Sequence, residues 1–263
     1  GGIYVDKLNL NDFKKRPLKS FYLCIYAINK EIKIRTDESI ESKELYVLLG
    51  IDIMGNRQIL GIYLNNYQDN RFWLDKFEDI KSRGLESIMF FVTPNNKGLE
   101  RCLKIMYNDA MIVSSPDNIS ENITKYFSEK TSRQLHVALR RLSTLKDKEM
   151  YVEELELFKE MYVDNTLLET LIDKYQQDME IFYQYKQSLR ELFYPYYTIR
   201  EAKKYLNKLK TRDRLCSDIN EIIEFCLPFV NSFEMGRTYN KAKWLSLLSG
   251  LYEIYPDKIG DII

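Results

Sequence analysis

The apolar positions of this chain change their period part-way along it. Phe21 to Ile28 is a continuous apolar run, the pattern of a strand buried on both faces. Glu31 to Arg35 alternates polar and apolar, as a half-exposed strand does. Leu45 to Ile53 and Gln58 to Leu64 read as two further strands. Met54-Gly55-Asn56-Arg57 supplies the turn of a hairpin between them. Phe72, Trp73, Phe77 and Ile80 then repeat at helical spacing and stop before Gly84, a helix-ending residue. Ser87 to Thr93 is another buried strand, Gly98 to Tyr107 a helix, and Ala110 to Val113 a short strand. From about Ile119 the strand pattern ends. Leu168, Leu171, Ile172, Tyr175, Met179, Phe182, Tyr183 and Leu189 mark one long amphipathic stripe. Later helices run from about Ile199 to Arg212, Ile219 to Val230 and Lys243 to Tyr255. Antiparallel strands followed by strand–helix alternation predict an α/β fold, a mixed sheet flanked by helices.

Charge modifies this picture more than composition does. The 263 residues carry 39 Lys+Arg and 39 Asp+Glu, a formal net charge of zero, which argues against a uniformly basic nucleic-acid binder. The zero hides segregation. Glu149 to Glu180 holds ten acids against two bases. Ile199 to Arg214 holds Arg200, Lys203, Lys204, Lys208, Lys210, Arg212 and Arg214 against Glu201 and Asp213. Seven cations on one helix are candidate phosphate contacts; the competing reading is a solvated face paired with the acidic stretch. No apolar run is long enough to span a membrane, and Gly1-Gly2-Ile3 does not read as a signal peptide. Cys24, Cys102, Cys216 and Cys226 have no zinc-site spacing and read as reduced core thiols of a cytoplasmic protein.

Several separated motifs resemble one family. Arg16-Pro17-Leu18 precedes the first strand. Leu60-Gly61-Ile62-Tyr63-Leu64, Phe72-Trp73-Leu74 and Lys81-Ser82-Arg83-Gly84-Leu85 follow in order, then Lys97-Gly98-Leu99, Tyr205-Leu206-Asn207-Lys208 and a final helix from Trp244 to Ile259. From about residue 13 onward the chain resembles the catalytic domain of mutator-type bacterial insertion-sequence transposases. The resemblance implies an RNase H-like fold with an all-helical insertion. The expected division is residues 1–118 for the β-rich half, 119–190 for the insertion and 191–263 for the completing helices.

Such enzymes cut and join DNA with two Mg²⁺ ions held by two Asp and a Glu, because closely spaced divalent ions need several carboxylates. The resemblance assigns the first Asp to Tyr26, in a strand without acids, and the second to Pro94, in the acid-free segment Thr93 to Asn96. The Glu falls at Lys204 or Glu201. A family Cys-x-x-His falls at Ser115 and Asn118, and a family Arg at Glu121. The expectation is therefore a degenerate transposase-like protein without catalytic residues, metal or cofactor. It would act by binding DNA through the basic helix, or a partner such as a second copy or an intact transposase, with no nucleotide and no membrane.

The alternatives are an active transposase with relocated carboxylates and an interaction scaffold that binds no DNA. Asp52, Asp109 and Asp117 are the acids available for relocation. Asp52 reads first as a strand-end residue beside a turn, and the other two as loop residues. His136 has no Ser, Cys or second His at motif spacing and reads as structural or surface-exposed. Phe193-Tyr194-Pro195-Tyr196-Tyr197 reads first as aromatic packing and second as a base-stacking platform. No glycine-rich phosphate loop occurs.

Overall fold

A computed structural model describes residues 8–65, 71–209 and 215–260. After a short helix α1 (Leu10–Lys15) come strands β1 (Phe21–Arg35), β2 (Ile40–Ile51) and β3 (Arg57–Asn65), then α2 (Phe72–Ser82), β4 (Ser87–Thr93), α3 (Lys97–Met106) and β5 (Met111–Ser114). The rest is helical: α4 (Pro116–Thr124), α5 (Glu129–Ser143), α6 (Lys148–Met161), α7 (Thr166–Tyr183), α8 (Gln187–Phe193), α9 (Tyr196–Asn207), α10 (Ile219–Met235), α11 (Lys241–Ile254) and α12 (Pro256–Gly260).

The five strands form one mixed sheet in the order β3-β2-β1-β4-β5. The pairs β1–β2 and β2–β3 are antiparallel, whereas β1–β4 and β4–β5 are parallel. The fold is therefore the mixed α/β arrangement that the pattern predicts. One expectation is corrected: the two strands read at Phe21–Ile28 and Glu31–Arg35 are a single strand. Asn29 and Lys30 do not interrupt it, because β2 pairs with it without a break from Cys24↔Ile51 to Arg35↔Ile40. The stripe ending at Leu189 is likewise two helices, with α7 ending at Tyr183 and Leu189 belonging to α8.

Helices cover both faces of the sheet. On one side Phe72, Trp73, Phe77 and Ile80 of α2 and Leu99 and Leu103 of α3 pack on Tyr22, Ile25, Leu48 and Phe91. Gly84 ends α2 at φ +113°, and a Cβ there would lie 3.0 Å from the Leu18 carbonyl oxygen, so a glycine satisfies both demands. The other face carries the larger core. There Phe90 meets Phe193, Tyr185 and Tyr255 in edge-to-face contacts with centroids 4.8, 6.3 and 6.1 Å apart.

The outer edge of β3 is closed by side chains rather than by another strand. Glu234 of α10 accepts the Ile59 N–H at 2.7 Å, and Arg16 donates to the Ile59 carbonyl at 2.6 Å. Arg16 also grips Glu234 through both Nη atoms, while Arg83 donates to the Leu60 carbonyl at 2.6 Å. The β2–β3 turn is held from the far end of the chain: Trp244 Nε1 donates to the Ile53 carbonyl at 3.0 Å. The turn glycine, Gly55, has φ +78°, and a Cβ there would meet the Trp244 ring at 2.9 Å.

Candidate functional site

β1 and β4 lie parallel, with Tyr26 opposite Val92, so Tyr26 and Pro94 stand at the same end of the sheet. Tyr26 is 2% exposed, and its hydroxyl donates to the Leu192 carbonyl. Burial, with Cys24 and Tyr239 nearby, pushes this phenol well above its ordinary range, so it remains a protonated donor. A narrow void of about 10 Å³, at the threshold of what one water molecule needs, borders Tyr26, Val92, Ser115, Tyr194 and Lys203.

Pro94 is buried at the end of β4 and borders an open cleft of about 620 Å³. Carboxamides dominate its lining: Asn29, Asn95, Asn96, Asn118 and Asn122. Asn96 donates to the Tyr46 hydroxyl at 2.8 Å, and Asn29 to Glu44 at 2.8 Å. The lining also holds Lys30, Lys125 and Lys203 against Glu31, Glu44 and Glu121, so its charges cancel. The cleft therefore offers hydrogen bonds more than net attraction for a phosphate.

The helix read as basic is α9, and it does not present its cations as one patch. Its inner face is Thr198, Ala202 and Leu206. Lys203, beside Ala202, turns inward: its Nζ lies 2.8 Å from Asp117 Oδ2 and 2.5 Å from Glu121 Oε1, with the side chain 19% exposed. Burial opposes its charge, but Glu121 and Asp117 outweigh it and raise its pKa. Tyr194 donates to the other oxygen of Asp117 at 3.1 Å. Arg200, Lys204 and Lys208 lie on the exposed side at spacing i, i+4, i+8. Arg200 donates to the Tyr196 hydroxyl at 3.2 Å, and Lys208 Nζ sits 5.0 Å from the Tyr205 ring centre. Lys210, Arg212 and Arg214 lie outside the described residues.

Of the two candidates for the third acid, Lys204 is exposed and Glu201 points to β3, where it pairs with Arg57 at 3.1 Å. The pairs made by Lys203 and Glu201 run to α4 and β3, not to the acidic stretch Glu149–Glu180. That stretch is matched nearer by, in Glu154 with Arg141 and Asp173 with Lys159.

Asp117 is not a loop residue. It lies in the first turn of α4, where the Ser115 side chain caps the helix and Pro116 occupies the first turn. Ser115-Pro116-Asp117 is a helix-start signature, the one signal from which this carboxylate was recoverable. Asn118 donates to the Thr93 carbonyl at 2.8 Å, tying α4 to the end of β4. Asp109 is in the exposed turn before β5, as expected. Asp52 accepts from Met54 N, Asn56 N and Asn56 Nδ2 at 2.8–3.0 Å and pairs with Lys19, so it organises the β2–β3 turn. His136 is half-buried; its Nδ1 lies 2.8 Å from the hydroxyl of Ser120, itself only 1% exposed and so closed to a substrate. In the aromatic run Phe193 is buried, Arg140 stacks 3.6 Å from the Tyr196 ring centre, and Tyr197 is 82% exposed. Among the described residues no three His, Cys, Asp or Glu side chains converge to hold a metal ion, and no helix is long and apolar enough to cross a membrane.

Residues 5–214 match the family described as Transposase, Mutator family. The chain belongs to that family. Within it, the chain is similar to the transposase for insertion sequence element ISRM3 of Rhizobium meliloti (strain 1021), at 25% identity over 58% of this chain and 38% of that protein. It is similar along most of its length to a probable insertion-sequence transposase of Corynebacterium diphtheriae, at 20% identity over 95% of this chain and 79% of that protein. The transposase for insertion sequence element IS256 in transposon Tn4001 of Staphylococcus aureus matches at 24% identity over 41% of this chain and 28% of that protein. The chain thus spans little more than a third of the length of the ISRM3 transposase. The Mutator-family match includes β1, β4 and α9, and with them Tyr26 on β1, Pro94 just after β4, and Lys204 and Glu201 on α9.

Proposed function

We propose that this Mutator-family chain is a degenerate transposase with an RNase H-like core and residues 119–190 as its helical insertion. On this reading it no longer cleaves DNA and acts by binding it. One observation carries the reading: beside Tyr26, an ammonium from α9 sits between two carboxylates of α4. A phenol committed to a backbone carbonyl, a proline and an ammonium do not fit a two-metal centre, which needs anionic oxygens converging on open space. The relocated-carboxylate alternative has little support, because Asp52 is spent on its turn and on Lys19.

The DNA contact is assigned to the outer stripe of α9, Arg200, Lys204 and Lys208, with Tyr197 beside it. Three phosphate contacts give modest, salt-sensitive affinity. The test is duplex binding at low and raised salt, run beside a nicking assay on supercoiled DNA with Mg²⁺ or Mn²⁺. Binding that weakens with salt, without nicking, supports the reading. Absence of binding at low salt refutes the DNA assignment and leaves a protein partner. Metal-dependent nicking abolished by Asp52→Ala or Asp117→Asn overturns the loss of cleavage.

A further inference from the structure

Helices α5 and α6 form a hairpin whose inner side fixes its register. Leu139 with Leu155, and Leu142 with Tyr151, line one small void, and Arg141 reaches Glu154 at 3.1 Å. The two helices therefore run antiparallel. On that register Val137 stands level with Leu157, and Arg133 with Glu160 and Met161. Along the outward seam between the helices Val137, Met150, Leu157 and Met161 are 43% to 71% exposed. Single exposed apolar residues are ordinary, but four along one seam mark an interaction surface. The two banks of the seam carry opposite charge. On the α5 side Arg133 and Arg141 flank Val137 at spacing i, i+4, i+8, with Lys130 beside them. On the α6 side Glu149, Glu153, Glu156 and Glu160 are exposed, and none of them makes an ion pair among the described residues.

We propose that this face of α5 and α6 binds a second copy of the chain, the two hairpins closing into a four-helix bundle. An apolar seam between a basic and an acidic bank is complementary to itself. A two-fold axis along the seam lays the α5 bank of one copy on the α6 bank of the other without changing height. Arg133 then meets Glu160 of the second copy and Arg141 meets Glu153, each pair occurring twice, while the apolar seams cover one another. An axis across the seam would set basic on basic. A different partner would have to carry this same pattern, whereas a second copy carries it already. The face is about 20 Å long and about 20 Å wide, smaller than a standard interface, so the dimer is a weak one. The proposal does not rest on the DNA reading, since it uses none of the α9 cations.

Sedimentation velocity of the full chain from about 1 to 100 μM tests it. Wild type passes from monomer to dimer over that range. Arg133→Glu/Arg141→Glu makes both banks acidic and Glu153→Arg/Glu160→Arg makes both basic, so each variant alone stays monomeric. Mixed one to one they pair, because each acidic bank then meets a basic one. Adding Leu157→Asp to the first variant abolishes that pairing, which separates seam contact from bulk charge attraction. Wild type that is monomeric throughout, a dimer that survives either reversal, or a mixture that does not pair overturns the proposal. If circular dichroism shows a variant unfolded, methionine oxidation of wild type decides. Met150 and Met161 oxidise about threefold more slowly at the high concentration than at the low one, while the exposed Met54 and Met235 do not change. Equal rates at both concentrations overturn the proposal.

Discussion

Replacing Tyr26 by Asp puts back the residue type that the resemblance expects, and the surroundings dictate the result. The ring is 2% exposed and the adjoining void is only about 10 Å³, so the new carboxyl lies away from bulk solvent. Deleting a buried aromatic ring costs about 3–5 kcal/mol. The Leu192 carbonyl loses its donor, at about 1–3 kcal/mol. The new carboxyl must stay neutral or be buried charged, and each unit of raised pKa adds about 1.4 kcal/mol at neutral pH. A loss of about 4–8 kcal/mol follows for Tyr26→Asp before the carboxyl's own cost is added, against about 1–3 kcal/mol for Tyr26→Phe, which removes only the hydroxyl. Urea unfolding monitored by circular dichroism compares the two, with Mg²⁺ added in a parallel series. A Tyr26→Asp protein as stable as Tyr26→Phe, and further stabilised by Mg²⁺, would refute the argument, since the position would then be a hydrated, metal-competent one.

Three other outcomes follow from the same geometry. Glu234→Ala removes the acceptor for Ile59 N–H and the partner of Arg16; it costs about 2–4 kcal/mol and, by opening the β3 edge, raises self-association seen by light scattering. Burial pushes the Asp52 carboxyl up, but Lys19 and Asn56 more than reverse this and hold its pKa below the ordinary value. A depressed folded pKa means that stability is fully present above the unfolded value near ~3.9 and is lost as pH falls below it; Asp52→Asn is less stable at neutral pH and flattens that acid limb in thermal unfolding. Lys204→Ala leaves folding unchanged, weakens DNA binding and lowers the slope of log affinity against log salt by about 0.9, read by fluorescence anisotropy.

Much of the sheet was legible because its strands are buried on both faces or paired through a tight turn. The hairpin around Gly55 and the helix before Gly84 stand where the local pattern puts them, since both depend on backbone conformations that few residues other than glycine adopt. The single long β1 was not legible: Asn29 and Lys30 look like a break, and only the unbroken register with β2 carries the strand through. The candidate site was legible as a set of absences, at Tyr26 and Pro94, and not as an arrangement. Counting cations on α9 gives no sign that Lys203 turns inward while Lys204 faces out. That difference comes from Thr198, Ala202 and Leu206 facing the core, and from an aspartate 86 residues away in sequence.

The bond from Trp244 to the Ile53 carbonyl closes a loop of 191 residues. At a synthesis rate of about 5–20 residues per second, the hairpin leaves the ribosome roughly 10–40 s before the tryptophan that covers its turn. For that interval the Ile53 carbonyl and the face of Gly55 have only water or a chaperone for company. The β2–β3 corner is made early and finished late, so a chain cut short before Trp244 carries a sheet with an uncovered corner.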